Sequence, residues 1–348
     1  MLQSMKYVYE VYKEKSFSKA AKNLGVSQPA LSTAIKKIEL EAGITLFDRS
    51  SSPLKLTEAG QAYIDAVMQV MSIQNNLKCQ LSDIASLKTG SLKIGGSTFF
   101  STFILPHAIS KFSMEHPGVK IDLIEAPSAD LKGKLMDETL DIIMDSCEFD
   151  SRFYTTYQVL KENLLLAVPK TFEVNNGLEE FQLTSKDIKQ KKHRSEDFPC
   201  VDLSRFRNEE FLILRKGNDT GERAFAMCAD AGFMPKVHMY LDQIMTSYNI
   251  ACMGMGAAFV TDKIITYGYP RTEVVFYKLG GHLSKRHIVF AHKKNRYLTQ
   301  VMSEFISFSK GTIYKFNKEN WFTKQGEKYV FCCKKLCPYW HRRYNCRS

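Results

Sequence analysis

The hydrophobic pattern near the N-terminus predicts two short helices separated by a tight bend. Apolar residues at positions 7, 8, 11 and 12 form one stripe of a first helix, which is expected to end near Lys15. Ser18 is a suitable N-cap for a second helix over residues 19–24. Gly25 is expected to end that helix, because glycine adopts the left-handed conformation that is common after a helix C-terminus.

A third helix with two different faces is predicted next. Ser27 is expected to cap it, and Pro29 lies in the first turn, where a missing N–H has no cost. The apolar positions that recur at helical spacing and should pack inward are Leu31, Ala34, Ile35 and Ile38. The opposite face is short, mostly uncharged and rich in hydrogen-bonding groups. Two such helices joined at a glycine form the helix-turn-helix arrangement.

The polar face of the third helix suits the major groove of DNA. A glutamine can bond adenine with two hydrogen bonds, small hydroxyls can reach base edges or phosphates, and a flanking lysine can reach backbone oxygens. We therefore predict DNA contacts from Ser27, Gln28, Pro29, Ser32, Thr33 and Lys36.

A two-stranded wing is predicted after the third helix. The apolar pair 46–47 and the alternating segment 54–56 flank a polar turn at 48–53. Arg49 and Lys55 would lie on this wing, where their charges can contact DNA phosphates.

Residues 57–87 predict one long helix with a narrow apolar seam. The segment contains no proline and, after Gly60, no glycine. The seam covers about four heptads and consists of Tyr63, Ala66, Val70, Ile73, Leu77, Gln80, Ile84 and Leu87. A seam this narrow favours pairing with a partner helix. The alternative is a helix that lies on its own domain.

Strands and helices alternate through the remainder of the chain. Three strands with helices between them are predicted at 91–95, 119–125 and 141–145. A second, similar unit is predicted with strands at 164–168, 211–214, 236–241 and 257–260. The alternation indicates parallel sheets with helices on their faces. Two such lobes with a crossing chain would enclose a cleft.

Charge and composition change this picture little. The 348 residues carry a formal net charge of +11, but residues 310–348 account for +8 of it, so basicity alone does not indicate DNA. The basic run 189–194 lies in the polar segment 173–206, which is predicted to be a solvated surface excursion. In the tail, zinc binding is conceivable at Cys333, Cys337, His341 and Cys346. A basic segment that adds phosphate affinity is favoured over zinc binding, and a poorly ordered extension is the preferred interpretation.

Several protein classes are not indicated. The sequence has no apolar run of about 18 residues and no signal peptide, so a cytoplasmic protein without a membrane partner is expected. It also lacks a phosphate-binding glycine loop, a nucleophile elbow and a paired acid–base motif. Neither an enzyme nor a cofactor is therefore predicted.

Residues 16–60 resemble the DNA-binding domain of LysR-type transcriptional regulators, through the segments SFSKAAKNLGVSQPALSTAIKKIELEAGITLFDRS and LKLTEAG. The matching positions are Ala20, Ala21, Leu24, Ser27, Gln28, Pro29, Ala30, Ser32, Ile35, Glu39, Gly43, Leu46, Phe47, Arg49, Leu56, Thr57, Ala59 and Gly60. Ile38 and Ala42 stand where the family favours leucine. Residues 91–308 are similar to the periplasmic-binding-protein-like effector domain of the same regulators.

The resemblance implies the organisation of the whole chain, which is α/β overall. Its parts are a winged helix-turn-helix at 1–60, a dimerisation helix at 57–88, a two-lobed α/β effector domain at 91–308 and a basic tail at 310–348. It implies a homodimer or homotetramer on double-stranded DNA, with half-sites about one helical turn apart.

The resemblance also implies a small-molecule effector, most simply a carboxylate, in the cleft between the lobes. Helix N-termini at strand ends can hold an anion there. The positions concerned are Ser97, Thr98, Ser128, Asn218 and Thr220. An ordinary helix cap is the alternative for each of these side chains.

Two further hypotheses remain open. One is a redox- or metal-responsive regulator on the same scaffold, because Cys200 and Cys228 lie where peroxide-sensing members of the family keep a reactive pair; buried structural thiols are the preferred interpretation. The other is a solute-binding protein or transferase with the two-lobed fold. The DNA-binding module and the missing signal peptide argue against it.

Overall fold

The computed structural model of the protein describes residues 2–51, 53–85, 90–268 and 270–318. The chain divides into two compact units, Met1–Leu87 and Lys88–Ser348. Each unit buries apolar side chains in cores of its own, as a chain of this length can do. The tail cysteines and His341 lie outside the described residues.

Helices dominate the first unit. In chain order its elements are α1 (Leu2–Glu14), α2 (Phe17–Leu24), α3 (Gln28–Ala42), β1 (Phe47–Asp48), β2 (Lys55–Leu56) and α4 (Glu58–Ala85). Strands β1 and β2 pair in antiparallel fashion and form the predicted wing.

The start of α2 differs from the prediction. Ser16, not Ser18, is the N-cap: its hydroxyl accepts a hydrogen bond from the backbone N–H of Lys19 at 3.4 Å. Both serines flank Phe17, and the sequence does not show which of them precedes the helix. Phe17 becomes the first helical residue and packs against Phe47 of the wing, with ring centroids 5.8 Å apart.

The other caps confirm the predictions. Gly25 ends α2 in the left-handed conformation, with a φ of 67°, and its N–H bonds the last turn. The Ser27 hydroxyl accepts a hydrogen bond from the backbone N–H of Ala30 at 3.3 Å and so caps α3.

The inward face of α3 is confirmed at its centre. Leu31 and Ile35 are fully buried, whereas Ala34 and Ile38 are half-buried. Burial of a leucine or isoleucine side chain contributes about 1.5–3 kcal/mol. These two anchors therefore fix the rotation of α3 about its axis and turn its polar face to solvent.

Helix α4 passes through two environments. Near its start, the N–H of Gly60 bonds the Thr57 hydroxyl at 2.9 Å, and Ile64 and Val67 are buried in the first unit. Further along, Ile73 and Leu77 are 68% and 55% exposed. Only the first turns of α4 thus pack on their own domain, as the alternative prediction proposed for the whole helix. The side chains of Ile84 and Leu87, which end the predicted seam, lie outside the described part of the chain.

A parallel sheet begins the second unit and forms its first lobe. The elements are β3 (Gly90–Gly96), a π-helical turn (Phe100–Ile104), α5 (Leu105–Glu115), β4 (Val119–Glu125), α6 (Ser128–Met136) and β5 (Ile142–Asp145). Strand β3 lies between β4 and β5 and is parallel to both. From β3 the chain goes first to β4 on one side and then to β5 on the other, so the strand order reverses between β3 and β5. Open α/β sheets bind ligands at such a reversal.

The second lobe follows a long strand. The elements are β6 (Tyr154–Pro169), β7 (Gln182–Leu183), α7 (Ser185–Lys189), β8 (Glu210–Leu214), α8 (Asp219–Asp230), β9 (Lys236–Leu241), α9 (Ile244–Cys252), β10 (Ala257–Thr261), α10 (Asp262–Tyr267), β11 (Val274–Lys278), β12 (Lys285–Lys293) and α11 (Gln300–Lys318). Strand β8 lies between β9 and β10 and is parallel to both. The second lobe thus repeats the strand order of the first.

Strand β6 joins the two lobes. Residues 154–163 pair with β12, which also pairs with β5 of the first lobe. Residues 164–169 pair with β10 and β11 of the second lobe. Each lobe is therefore a mixed sheet, because the crossing strands add antiparallel neighbours to the predicted parallel ones.

The segment 173–206 is not the solvated excursion that its composition predicted. It forms short turns around β7 and α7 that bury Leu178, Leu183 and Phe206. His193, within the basic run, is 3% exposed. The apolar residues are too widely spaced in this segment to give a periodic pattern, so the polar majority dominated the prediction.

Candidate DNA interface and effector site

The polar face of α3 is presented to solvent in the first unit. Of the predicted contact residues, Ser32 is half-buried, and the exposed ones are Ser27, Gln28, Pro29, Thr33 and Lys36. The structure brings them together at the start of one helix and along one side of it. This arrangement offers a short row of hydrogen-bonding groups of the kind that recognises base edges.

The two predicted cations of the wing differ in their surroundings. Lys55 is exposed on β2, opposite Asp48 of β1. The Arg49 guanidinium bonds Glu39 of α3 at 2.8 Å and lies over the ring of Phe17, 5.3 Å from its centroid. Its charge is thus partly neutralised by a carboxylate, so a DNA phosphate would have to share the guanidinium with Glu39.

Glu39 is a functional candidate whose role the sequence pattern did not predict. One carboxylate oxygen accepts the backbone N–H groups of Leu46 and Phe47, at 2.8 and 3.4 Å, and the other accepts Arg49. A single side chain of α3 therefore fixes the start of the wing. Its place in the matching family motif was the only signal in the sequence.

In the first lobe, the predicted effector residues lie at the carboxyl ends of adjacent strands. Ser97 and Thr98 follow β3, and Ser128 begins α6 after β4. The Thr98 hydroxyl donates a hydrogen bond to Glu125 at 2.6 Å. Ser97 starts the next helix, since its carbonyl accepts the N–H of Ser101 at 2.9 Å.

In the second lobe, the two predicted effector residues form hydrogen bonds within the protein. Asn218 caps α8 by accepting the N–H of Thr220 at 3.0 Å. The Thr220 hydroxyl is buried and accepts a hydrogen bond from Arg286 at 3.0 Å. The alternative of an ordinary cap therefore holds for Asn218, and the role of both as effector contacts stays a prediction.

Arg286 is the centre of a buried ion network on the crossing strands. It bonds Glu162 on the facing strand β6 at 2.7 Å and Asp219 at the start of α8 at 2.6 Å. Burial acts to lower the pKa of this guanidinium, but the charges of Glu162 and Asp219 outweigh burial and raise it. The network ties α8 to the crossing strands. No local pattern predicts it, because Glu162 and Arg286 are 124 residues apart.

A second buried network surrounds Asp262 at the start of α10. Its carboxylate hydrogen-bonds His193 at 3.0 Å and Arg194 at 2.5 Å, and it accepts both the backbone and the side-chain amide of Asn163. Burial acts to raise the pKa of Asp262, but the His193 hydrogen bond and the positive charges of Lys263 and Arg194 outweigh burial and hold the pKa below 3.8. The basic run 189–194, which was predicted to be solvated, thus supplies two hydrogen-bond partners for the buried Asp262.

An open groove of about 770 Å³ lies beside the first turn of α8 in the second lobe. Its lining residues are Leu214, Arg215, Lys216, Gly221, Glu222, Phe225 and Tyr240. None of the predicted effector residues lines it. Its lining combines apolar side chains with two cations and one acid.

Two of the described cysteines in the second unit are poor nucleophiles. Burial, and then the Asp145 carboxylate, raise the pKa of Cys147 to about 12. Burial alone raises the pKa of Cys228 to about 12. Both thiols are therefore protonated at neutral pH. Cys200 is exposed.

Comparison with known proteins identifies the two units. Residues 2–61 match the family of bacterial regulatory helix-turn-helix proteins, lysR family, and residues 85–312 match the LysR substrate binding domain. A Bacillus subtilis relative, the HTH-type transcriptional regulator YcgK, is 26% identical over 309 residues, which cover 89% of this chain and 94% of the relative. The transcriptional regulator OxyR of Escherichia coli is 24% identical over 275 residues, or 79% and 83% of the two chains.

Solved structures share the fold. A full-length OxyR variant from Pseudomonas aeruginosa aligns with a TM-score of 0.60 at 18% identity, over 90% of this chain and 94% of that one. The LysR family regulator CbnR aligns with a TM-score of 0.54 at 16% identity, over 90% and 99%. Within the described residues, no helix is both long and apolar enough to cross a bilayer.

The family matches span the helix-turn-helix unit and the two-lobed unit, and more than half of the chain lies in the second match alone. The chain belongs to the LysR family of transcription regulators and is a DNA-binding regulator of that type.

Proposed function

We propose that this regulator binds a two-fold DNA site as a homo-oligomer and changes its DNA binding in response to a small molecule bound in the second unit. The observation that carries the DNA part is the polar face of α3, which the buried Leu31 and Ile35 hold toward solvent. Gln28 and Thr33 at this face would contact bases, and Lys36, Arg49 and Lys55 would contact phosphates.

The exposed apolar side of α4 supports the assembly. Ile73, Leu77 and Leu81 are 68%, 55% and 57% exposed and recur every four residues. Apolar side chains at such spacing are stabilised by burial against a second helix, at roughly 25 cal/mol per Å². A second copy of α4 is the simplest partner, because it would also provide two α3 helices for a two-fold site.

The arrangement of the second unit supports an effector between its lobes. Ser97 and Thr98 follow the carboxyl end of β3, and Ser128 follows that of β4. Arg223 of α8 forms an ion pair at 3.5 Å with Glu148, which follows β5. A ligand that favours one arrangement of the lobes could change the free energy of DNA binding by no more than the difference in its own binding free energy between the two arrangements. CbnR, which has been solved in complex with its target DNA, shares the fold of this chain.

A DNA selection tests the proposal. Purified full-length protein should enrich, from a random-sequence library, sites with two half-sites about one helical turn apart. Gln28→Ala should relax the base preference at one position of each half-site and weaken binding by about 1–3 kcal/mol.

Gln61→Ala is the matched control, because Gln61 is an exposed glutamine on α4, outside the predicted interface. It should leave the selected sequence unchanged. The proposal for α3 would be wrong if the Gln28→Ala variant kept the wild-type footprint and affinity.

Redox regulation is the second candidate, because curated relatives include a hydrogen peroxide-inducible genes activator from Escherichia coli O157:H7. The buried, protonated Cys228 is an unsuitable partner for the exposed Cys200. We therefore expect peroxide to leave DNA affinity unchanged. A peroxide response that is lost in Cys200→Ser would favour the redox candidate instead.

A further inference from the structure

The basic run 189–194 and the strand pair beside it form a positively charged surface that the proposed function leaves without a role. The run contains four Lys or Arg side chains and no acid. The guanidinium of Arg194 donates a hydrogen bond to the backbone carbonyl of Lys161 on β6 at 3.2 Å. The run therefore lies beside the part of β6 that pairs with β12.

Strands β6 and β12 add cationic side chains to this surface. Lys161 lies directly opposite His287 in their antiparallel pairing, and Lys285 is two residues before His287 on the same strand. Such positions share one face of a sheet. Lys161, Lys285 and His287 are exposed on this face. Glu162 and Arg286 alternate with them along the two strands and turn their buried side chains to the opposite face.

Some cations of this surface already have acidic partners and others do not. Lys192 pairs with Asp187 at 3.7 Å, and Arg194 pairs with Asp262 at 2.5 Å. The lysines that are exposed and form no ion pair within the residues that the structure describes are Lys161, Lys191 and Lys285. We call these three lysines and His287 the basic face. Its ammonium groups are available to an anionic partner.

The positive charge of this region extends to a buried lysine. Burial lowers the pKa of Lys263; the charge of Asp262 opposes this shift, whereas the charges of Arg194 and Lys191 add to it. Arg194 and Lys191 thus act on the same group, so the run and the strand pair form one region of positive charge. Residues 310–348 account for +8 of the net charge of +11, which leaves only +3 for the rest of the chain. The region is therefore a local concentration of charge and not a consequence of general basicity.

The chemistry of the basic face indicates its partner. Exposed ammonium groups recognise the distributed negative charge of a polyanion and provide no base-specific geometry. Duplex DNA is the polyanion that the helix-turn-helix unit of this family binds. Because both units belong to one chain, DNA held by α3 is present around the second unit at a high effective concentration. Contacts that are weak by themselves then add to the affinity for the same duplex.

We propose that the basic face of the second unit binds the phosphate backbone of the same DNA duplex, outside the two half-sites that α3 contacts. This inference rests on the proposed function, because the duplex must first be held by the first unit. The contact contributes affinity and salt dependence but no base preference.

Two duplexes of different length test this contact with the full-length protein. The short duplex contains only the two selected half-sites, and the long one adds about two helical turns of unrelated sequence on each side. The wild type should bind the long duplex more tightly, with a steeper slope of log K against log salt. Lys161→Ala/Lys285→Ala should reduce the slope on the long duplex by up to about 1.8 for each subunit in contact, because two phosphates lose their partners. Binding to the short duplex should stay the same.

Lys111→Ala/Lys120→Ala is the matched control, because it removes two exposed lysines from the first lobe and changes the net charge equally. It should keep the wild-type preference for the long duplex. Lys161→Arg/Lys285→Arg retains both charges and should keep this preference as well. The basic tail is present in every variant, so it does not account for a difference between them.

The inference is overturned if the wild type binds both duplexes equally, if the control loses as much as Lys161→Ala/Lys285→Ala, or if that variant weakens binding to the short duplex to the same extent. If it binds both duplexes normally but no longer changes transcription by RNA polymerase in vitro, the partner of the basic face is an acidic protein surface instead. A wild type that does not bind the short duplex contradicts the proposed function. A wild type that binds it but gains nothing from the long duplex contradicts this inference alone.

Discussion

The charge of Arg49 on the wing is shared between the protein and any DNA it binds. Its guanidinium bonds Glu39 and lies against Phe17, so it stabilises the wing as well as offering a positive charge. The sequence predicted the phosphate contact but not the internal partner. Salt dependence of DNA binding can distinguish the two roles, because each phosphate neutralised contributes about 0.9 to the slope of log K against log salt.

Arg49→Ala should weaken binding to every DNA sequence and reduce the salt slope by less than about 0.9, since Glu39 already neutralises part of the charge. It should also lower the unfolding midpoint of the first unit. Fluorescence anisotropy with selected and unrelated duplexes, over a range of salt concentrations, measures both effects on DNA. Arg152→Ala, which removes an exposed arginine from the second unit, is the control. A loss of affinity confined to one base sequence would contradict the phosphate role.

Glu39→Gln complements that variant. Glutamine keeps an acceptor for the backbone N–H groups of Leu46 and Phe47 but removes the negative charge beside Arg49. We expect the salt slope of DNA binding to stay the same or become steeper, with little change in base preference. A slope that falls as far as in Arg49→Ala would show that Glu39 acts mainly by holding Arg49 in position.

At the scale of elements, α4 shows how one periodic pattern serves two purposes. Its early apolar residues complete the core of the first unit, and its later ones stay exposed. Leu81, outside the predicted heptad seam, is as exposed as Leu77 and extends the apolar side beside Gln80. A sequence pattern gives the face of a helix that is apolar, but not which part of that face its own domain covers.

Leu77→Asp should shift the protein from its oligomeric mass to the monomer mass, because it puts a charge into the apolar side of α4. Sedimentation velocity measures the mass, and DNA affinity should fall with it. Met234→Asp, at an exposed methionine of the second unit, is the control and should not change the mass. An unchanged mass in Leu77→Asp would show that α4 does not carry the assembly.

Strands were predicted best where one face is half-exposed. The observed bounds of β4 and β9 equal the predicted ones, because polar and apolar residues alternate along both. Strands β11 and β12 were not predicted. Their central residues are buried on both faces, so they lack a continuous alternation.

At the scale of the whole molecule, buried ion networks join segments that are far apart in sequence. Asp262 connects the turn at 192–194, strand β6 and helix α10. Its pKa is depressed in the folded protein, so its contribution to stability is present above the unfolded value of about 3.9 and is lost as pH falls toward the folded value.

Asp262→Asn should lower the free energy of unfolding at neutral pH by about 3–5 kcal/mol, because it leaves buried positive charges without their partner. The difference from the wild type should remain constant from neutral pH to about pH 5 and shrink below about pH 4. Unfolding midpoints of both proteins as a function of pH measure this. A difference that disappears between pH 7 and pH 5 would contradict the assignment.

The sequence by itself determined the features that depend on neighbours along the chain. These are the caps at Gly25 and Ser27, the two faces of α3, the alternating strands and, through the motif at 16–60, the family. Helical and strand periodicity, together with capping, act over a few residues, so they are written locally in the sequence.

Tertiary structure alone decided which charges meet. Glu162 pairs with Arg286, and His193, from the basic run 189–194, bonds Asp262. Oδ2 of Asp145 has no hydrogen-bond partner among the described residues. The energy of a charged group depends on its burial and on neighbours brought from distant segments. That information exists only after the lobes have packed.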